Sequence, residues 1–154
     1  MSNYFDLLLH FRNCVVVAAQ PIHCPYDVVF VLDESGSIGS TNFDLVKTFL
    51  IQLVGRLDID SGNTRVALVA FSSGVRFIFK LNTHNSVSSI KAAISSLGYS
   101  RGGTNTARAL AYVRTAVLTL AAGDRGDVPN IVVVITDGRS NDPQATQVFT
   151  SDVQ

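Results

Sequence analysis

Two short runs of aliphatic and β-branched residues, each closed by an aspartate, limit what this chain can fold into. The first, Asp27-Val28-Val29-Phe30-Val31-Leu32, ends at Asp33, and the second, Asn130-Ile131-Val132-Val133-Val134-Ile135-Thr136, ends at Asp137-Gly138. Neither alternates apolar with polar residues, so each has the pattern of a strand covered on both faces in a parallel sheet. A carboxylate delivered twice at a strand's carboxyl end, before a glycine-containing turn, predicts a doubly wound α/β sheet with its site along that edge.

The residues between the two runs fill in the architecture. Phe43, Val46, Leu50, Leu53 and Leu57 recur at steps of three and four, an amphipathic helix whose start the pair Thr41 and Asp44 places near Asn42. Strands are expected over residues 65–71 and 76–80, joined by Ser72-Ser73-Gly74 as an antiparallel hairpin. A weaker helical stripe, Ile90, Ala93, Ile94 and Leu97, covers residues 87–97, and a flexible Gly98-Tyr99-Ser100-Arg101-Gly102-Gly103 loop follows. Residues 106–122 read as one helix that turns Ala107, Leu110, Ala111, Val117 and Leu120 to the core and stops at Gly123. The predicted fold is therefore α/β: a mostly parallel sheet with one antiparallel edge strand and helices on both faces.

Composition narrows the function classes. At 154 residues, 47% hydrophobic and 16% charged, the chain suits one folded domain and not a disordered segment. Twelve basic residues balance twelve acidic ones, so no positive field draws in nucleic acid. Cys14 and Cys24 are too few for a disulfide framework or a zinc site. Residues 1–23 form a leader or signal segment: Val17-Ala18-Ala19 suits signal peptidase with cleavage before Gln20, whereas Asp6 spoils a positive start. His10, Arg12 and Asn13 interrupt its apolar runs, so no membrane-spanning helix fits there.

Three separated pieces carry chemistry: Asp33-Glu34-Ser35-Gly36-Ser37, Thr104 after Gly102-Gly103, and Asp137. Carboxylates and hydroxyls are hard oxygen donors, which suit Mg²⁺, and also Mn²⁺ or Ca²⁺, better than zinc or copper. Only Asp33 and Asp137 of the five carry charge, so a divalent ion held there is formally neutralised and still receptive to a carboxylate from outside. The plainer alternative for Asp33, Ser35 and Ser37 is a polar turn leading into the next helix. Enzyme readings find little support. His10, His23 and His84 fall in the leader and in loops, where solvation is expected, and neither serine sits in a G-x-S-x-G elbow. An aspartyl phosphatase would need a second aspartate where Ser35 stands. Arg125-Gly126-Asp127 spells a tripeptide that integrins recognise, but the loop must turn before Pro129 in any case, and the loop-only reading carries more weight.

The pieces D-E-S-G-S, Thr104 and Asp137 resemble the metal-ion-dependent adhesion site of von Willebrand factor type A (VWA) domains, D-x-S-x-S…T…D. The resemblance runs from about Tyr26 to about Gln147 and is nearest in texture to modules of matrilins, cochlin and certain collagens. It implies that Ser35 and Ser37 bind the ion directly, that Asp33 and Asp137 often act through waters, and that Thr104 joins or leaves the coordination shell. Glu34 is outside that set and should face away. A partner's glutamate or aspartate would complete the octahedron, so the resemblance implies binding and not catalysis. It points to a secreted module of the extracellular matrix whose ligand is a matrix component such as collagen or a cell-surface receptor, with an intracellular VWA scaffold as the alternative. A full domain of this kind continues past the second aspartate through further strands and helices, so residues 24–154 are expected to be a partial domain, with the partner of Cys24 beyond it.

Overall fold

The computed structural model describes residues 25–138. Its centre is strand β1 (Tyr26–Asp33), all eight residues of which are buried. Such burial requires neighbours on both edges and cover on both faces, and the structure supplies each. Strand β2 (Thr64–Phe71) lies parallel on one side and β4 (Asn130–Ile135) parallel on the other, while β3 (Val75–Phe79) runs antiparallel beyond β2. The order is β3-β2-β1-β4.

Alternate β1 side chains divide between two cores, as a period of two demands. Val28, Phe30 and Leu32 pack with Phe43, Val46, Leu50 and Val54 of α1 (Gly39–Val54) and with Ile90 and Ile94 of α2 (Val87–Ser95). Val29 and Val31 pack on the other face with Ala109 of α3 (Thr106–Tyr112) and with Val113 and Val117. Helices therefore cover both faces, as the unbroken apolar runs predicted.

Three local expectations need correction. Helix α1 begins at Gly39, with Thr41 and Asp44 already inside it and no side-chain cap at Ile38. The supposed capping box does not form; in this first turn the Gly39 nitrogen donates to the Tyr99 hydroxyl and Asn42 Nδ2 donates to the Ile38 carbonyl. The helix expected over residues 106–122 is broken: α3 passes into a π-helical turn, Val113–Val117, and then a 3-10 turn, Leu120–Ala122. Valines and threonines at 113, 115, 117 and 119 are poor helix formers, and Thr119 adopts extended backbone (φ −141°, ψ 149°). The break turns Leu120 outward, where it is 83% exposed. Finally, His84 is half-buried, its ring edge-on to Phe79 with centroids 4.9 Å apart, and is not simply solvated. Gly123 does end this stretch: it sits at φ +92°, and a Cβ there would stand 2.7 Å from the Asn82 backbone nitrogen.

Strand β4 is less covered than β1, with Ile131 to Val134 only half-buried. It is an edge strand among the described residues. No helix among those residues is long and apolar enough to cross a membrane. The leader, Cys14, Cys24, His10, His23 and all residues beyond Gly138 lie outside the described residues.

At the amino end of β1, fully buried Asp27 is held by Arg125. The arginine donates from Nε (2.9 Å) and Nη2 (2.6 Å) to Oδ1, and its backbone nitrogen donates to Oδ2 (2.8 Å). The same guanidinium donates to the carbonyls of Tyr26, Gly62 and Asn63. The arginine of the Arg-Gly-Asp tripeptide is thus consumed inside the fold, which favours the loop-only reading. Removing one partner of a buried pair strands the other charge, so Arg125→Ala should cost about 3–5 kcal/mol of stability by urea unfolding. A loss below about 1 kcal/mol, the value of a surface pair, would contradict this account.

Candidate metal centre

The chain leaves β1 toward β2 on one side, while β4 pairs with β1 on the other, so the strand order reverses at β1. A crevice opens at such a switch point. The parallel register pairs Leu32 with Ile135, which sets Asp33 beside Thr136 one residue further along. The Thr136 hydroxyl donates to Asp33 Oδ2 at 2.6 Å, and the Ser35 backbone nitrogen donates to Oδ1 at 2.7 Å. Asp33 and Ser35 are buried, whereas Ser37 and Asp137 are exposed, so the cluster runs from the floor of the crevice to its mouth. Ser35 Oγ lies 3.0 Å from Ser37 Oγ, and Ser37 Oγ donates to Asp137 Oδ1 at 3.2 Å.

Four of the five residues expected in the site are thus linked by hydrogen bonds. Thr104, also buried, arrives with its loop. The Gly36 nitrogen donates to the Gly102 carbonyl (2.8 Å), the Gly103 nitrogen to Ser73 Oγ (2.8 Å) and the Asn105 nitrogen to the Ser72 carbonyl (2.9 Å). Gly102 is required for this approach: at φ +132° a Cβ would meet Ser72 Oγ and Ser73 Oγ at 3.1 Å. Among the described residues, no group of three or more His, Cys, Asp or Glu side chains could hold a metal. The donors here are two carboxylates and three hydroxyls, and the chemistry of the cluster is that of hard oxygen.

Sequence reasoning missed three supports. Tyr99, assigned to a flexible loop, donates from its hydroxyl to the Ser35 carbonyl (2.6 Å) and accepts from the Gly39 nitrogen (3.0 Å). Its ring lies 5.0 Å from that of Phe43. Thr136 was read only as the end of a strand. Glu34 does face away from the cluster, but it is 1% exposed and engages Arg76 of β3 through both carboxylate oxygens. Arg76 also donates to the Gly98 carbonyl. The hydrogen bonds that Arg76 donates to Glu34 raise its pKa above the ordinary value, burial opposes them, and the Glu34 charge raises it further. A raised basic pKa stabilises below the unfolded value and loses that effect only as pH climbs through the folded one. The arginine therefore stays charged throughout the acid and neutral range. A buried charge implies a partner, but no spacing rule links residues 34 and 76.

Tyr99→Phe keeps the ring and removes the bridge between the first loop and α1. Two backbone groups lose a partner, so stability should fall by about 1–2 kcal/mol in chemical denaturation. An unchanged midpoint would show that water replaces the hydroxyl at no cost.

Comparison with known proteins agrees with this geometry. The model of the von Willebrand factor type A domain family matches residues 27–152. Matrilin-1 of Gallus gallus is 40% identical over 116 residues, which are 75% of this chain and 24% of that protein. The collagen alpha-4(VI) chain of Mus musculus is 42% identical over 120 residues, 77% of this chain and 5% of that one. The chain thus spans about a quarter or less of these relatives. Among solved structures, proximal thread matrix protein 1 of the mussel byssus superposes with a TM-score of 0.81 at 28% identity, covering 88% of this chain and 36% of its own. One structure of that protein holds zinc in its metal-ion-dependent adhesion site (MIDAS) motif.

Proposed function

Because the chain belongs to the von Willebrand factor type A family, we propose that it is a protein-binding module that holds a divalent cation and uses it to capture an acidic side chain. Asp33, Ser35, Ser37, Thr104 and Asp137 would be the residues that hold the ion. The spacing of the oxygens carries this reading. Ligands at adjacent corners of a Mg²⁺ octahedron with bonds of about 2.1 Å stand about 3.0 Å apart. The Ser35–Ser37 and Ser37–Asp137 separations of 3.0 and 3.2 Å match that edge length without rearrangement. Both Asp33 oxygens already accept hydrogen bonds, which suits a role through intervening water.

Mg²⁺ is the favoured ion on donor type, with Mn²⁺ or Ca²⁺ as alternatives. The zinc found in the mussel relative shows that a related cradle accepts other divalent ions, so occupancy will follow availability as well as hardness. Binding is favoured over catalysis because the buried acid nearest the cluster, Glu34, is tied to Arg76 and not aimed at the crevice. The matrilin and collagen relatives favour a secreted, matrix-associated protein over an intracellular scaffold. A matrix component such as collagen, or a cell-surface receptor, is then the fitting class of ligand.

Mg²⁺ titration of the 154-residue chain, followed by thermal unfolding, tests the site. An ion bound only to the folded state should add about 2.7 kcal/mol at a hundredfold excess over its Kd. Asp33→Ala or Ser37→Ala should abolish that gain. Identical melting in Mg²⁺ and in chelator would sink the proposal.

A further inference from the structure

Arg101 stands at the rim of the crevice in a conformation that costs energy. Among the described residues it is the only non-glycine at positive φ (+61°), in the left-handed region that a Cβ disfavours. Glycine would fit there without strain, yet the position holds a long cation. The side chain is exposed, and its guanidinium carbon lies 5.7 Å from the centre of the Tyr99 ring. Strain of this kind persists where the surrounding structure enforces it, and it clusters at binding sites.

Two links fix where Arg101 points relative to the metal loop. On one side its stacking partner Tyr99 holds the Ser35 carbonyl, and on the other the carbonyl of its neighbour Gly102 accepts from the Gly36 nitrogen. The nearby Arg76 is already matched by Glu34, whereas Arg101 has no carboxylate partner among the described residues. A divalent ion balanced by Asp33 and Asp137 adds no net charge, so Arg101 gives the loaded rim a positive bias.

We propose that Arg101 is a specificity determinant that recognises a second acidic side chain of the partner, beside the one taken by the cation. The proposal rests on the metal reading above and deepens it: the module would select acidic segments carrying two carboxylates over those with one. An arginine in cation–π contact with an aromatic ring has already given up part of its freedom and has less to lose on binding, and it offers a planar fork that suits a carboxylate. Its exposure keeps the effect modest, on the order of three- to tenfold in affinity and mostly through faster association.

The test uses a displayed random peptide library, panned on the 154-residue chain in Mg²⁺ and in chelator. Recovered Mg²⁺-dependent peptides are then synthesised with both acids or with one replaced by its amide. The native chain should bind the two-acid form three- to tenfold more tightly. Arg101→Gly should erase that preference while keeping Mg²⁺-dependent binding of the one-acid form, and it should melt at a higher temperature because the strain is gone. Arg101→Lys should keep part of the preference. Mg²⁺-dependent peptides that bind Arg101→Gly as well as the native chain, or that carry a single acid, would overturn this inference and leave the metal reading intact. Recovery that ignores Mg²⁺ would overturn both.

Discussion

A strand buried on both faces that carries an aspartate next to its first residue and another as its last must provide for two carboxylates that water cannot reach. Leaving either bare would cost more than most single interactions return, and the rest of the structure can be understood as the two solutions. At the amino end the solution is a cation from the chain itself, Arg125, which satisfies Asp27 and three neighbouring carbonyls at once. At the carboxyl end no side-chain cation among the described residues pairs with Asp33. Asp33 receives a backbone N–H and a threonine hydroxyl instead, together with a ring of further oxygens that suits an ion from solution. The same residue type at the two ends of one strand thus serves rigidity at one pole and, in the proposed function, recognition at the other.

The polar cluster depends on supporting residues that are not themselves among its oxygen donors. Tyr99 is wedged between Phe43 and the first loop, Gly102 allows the second loop to reach the first, and Thr136 hangs from the end of β4 onto Asp33. None of these side chains is a ligand in the proposed set. Each restricts a loop that would otherwise sample many conformations, so the oxygens are pre-positioned and the binding of an ion, as proposed, would need less ordering.

The strands, the antiparallel hairpin and the meeting of four predicted oxygen-bearing residues were legible in the sequence because each is governed by a short-range rule, whereas the lesser cover of β4 was not. Continuous apolar runs mean a strand covered twice, and a strand of known direction places its terminal aspartate. What could not be read depends on contacts distant in sequence. Tyr99 meets the loop at Ser35, and Glu34 meets Arg76, across dozens of residues with no periodic signal. The helix after Thr106 was misjudged for another reason: its apolar spacing is helical, but β-branched residues and the extended backbone of Thr119 outweigh that spacing. Likewise the Thr41–Asp44 pair had the right residue types for a cap, yet the polar loop before it was already helical from Gly39.

The two aspartates of β1 stand six residues apart, about 20 Å along an extended strand. That distance exceeds the range over which substitutions ordinarily influence one another, about 10 Å. Sequence drift around Asp27 and Arg125 can therefore harden or soften the domain while the opposite rim keeps its chemistry, and the rim can change its choice of ligand without endangering the scaffold. A module arranged in this way can diversify what it holds on to while remaining the same object.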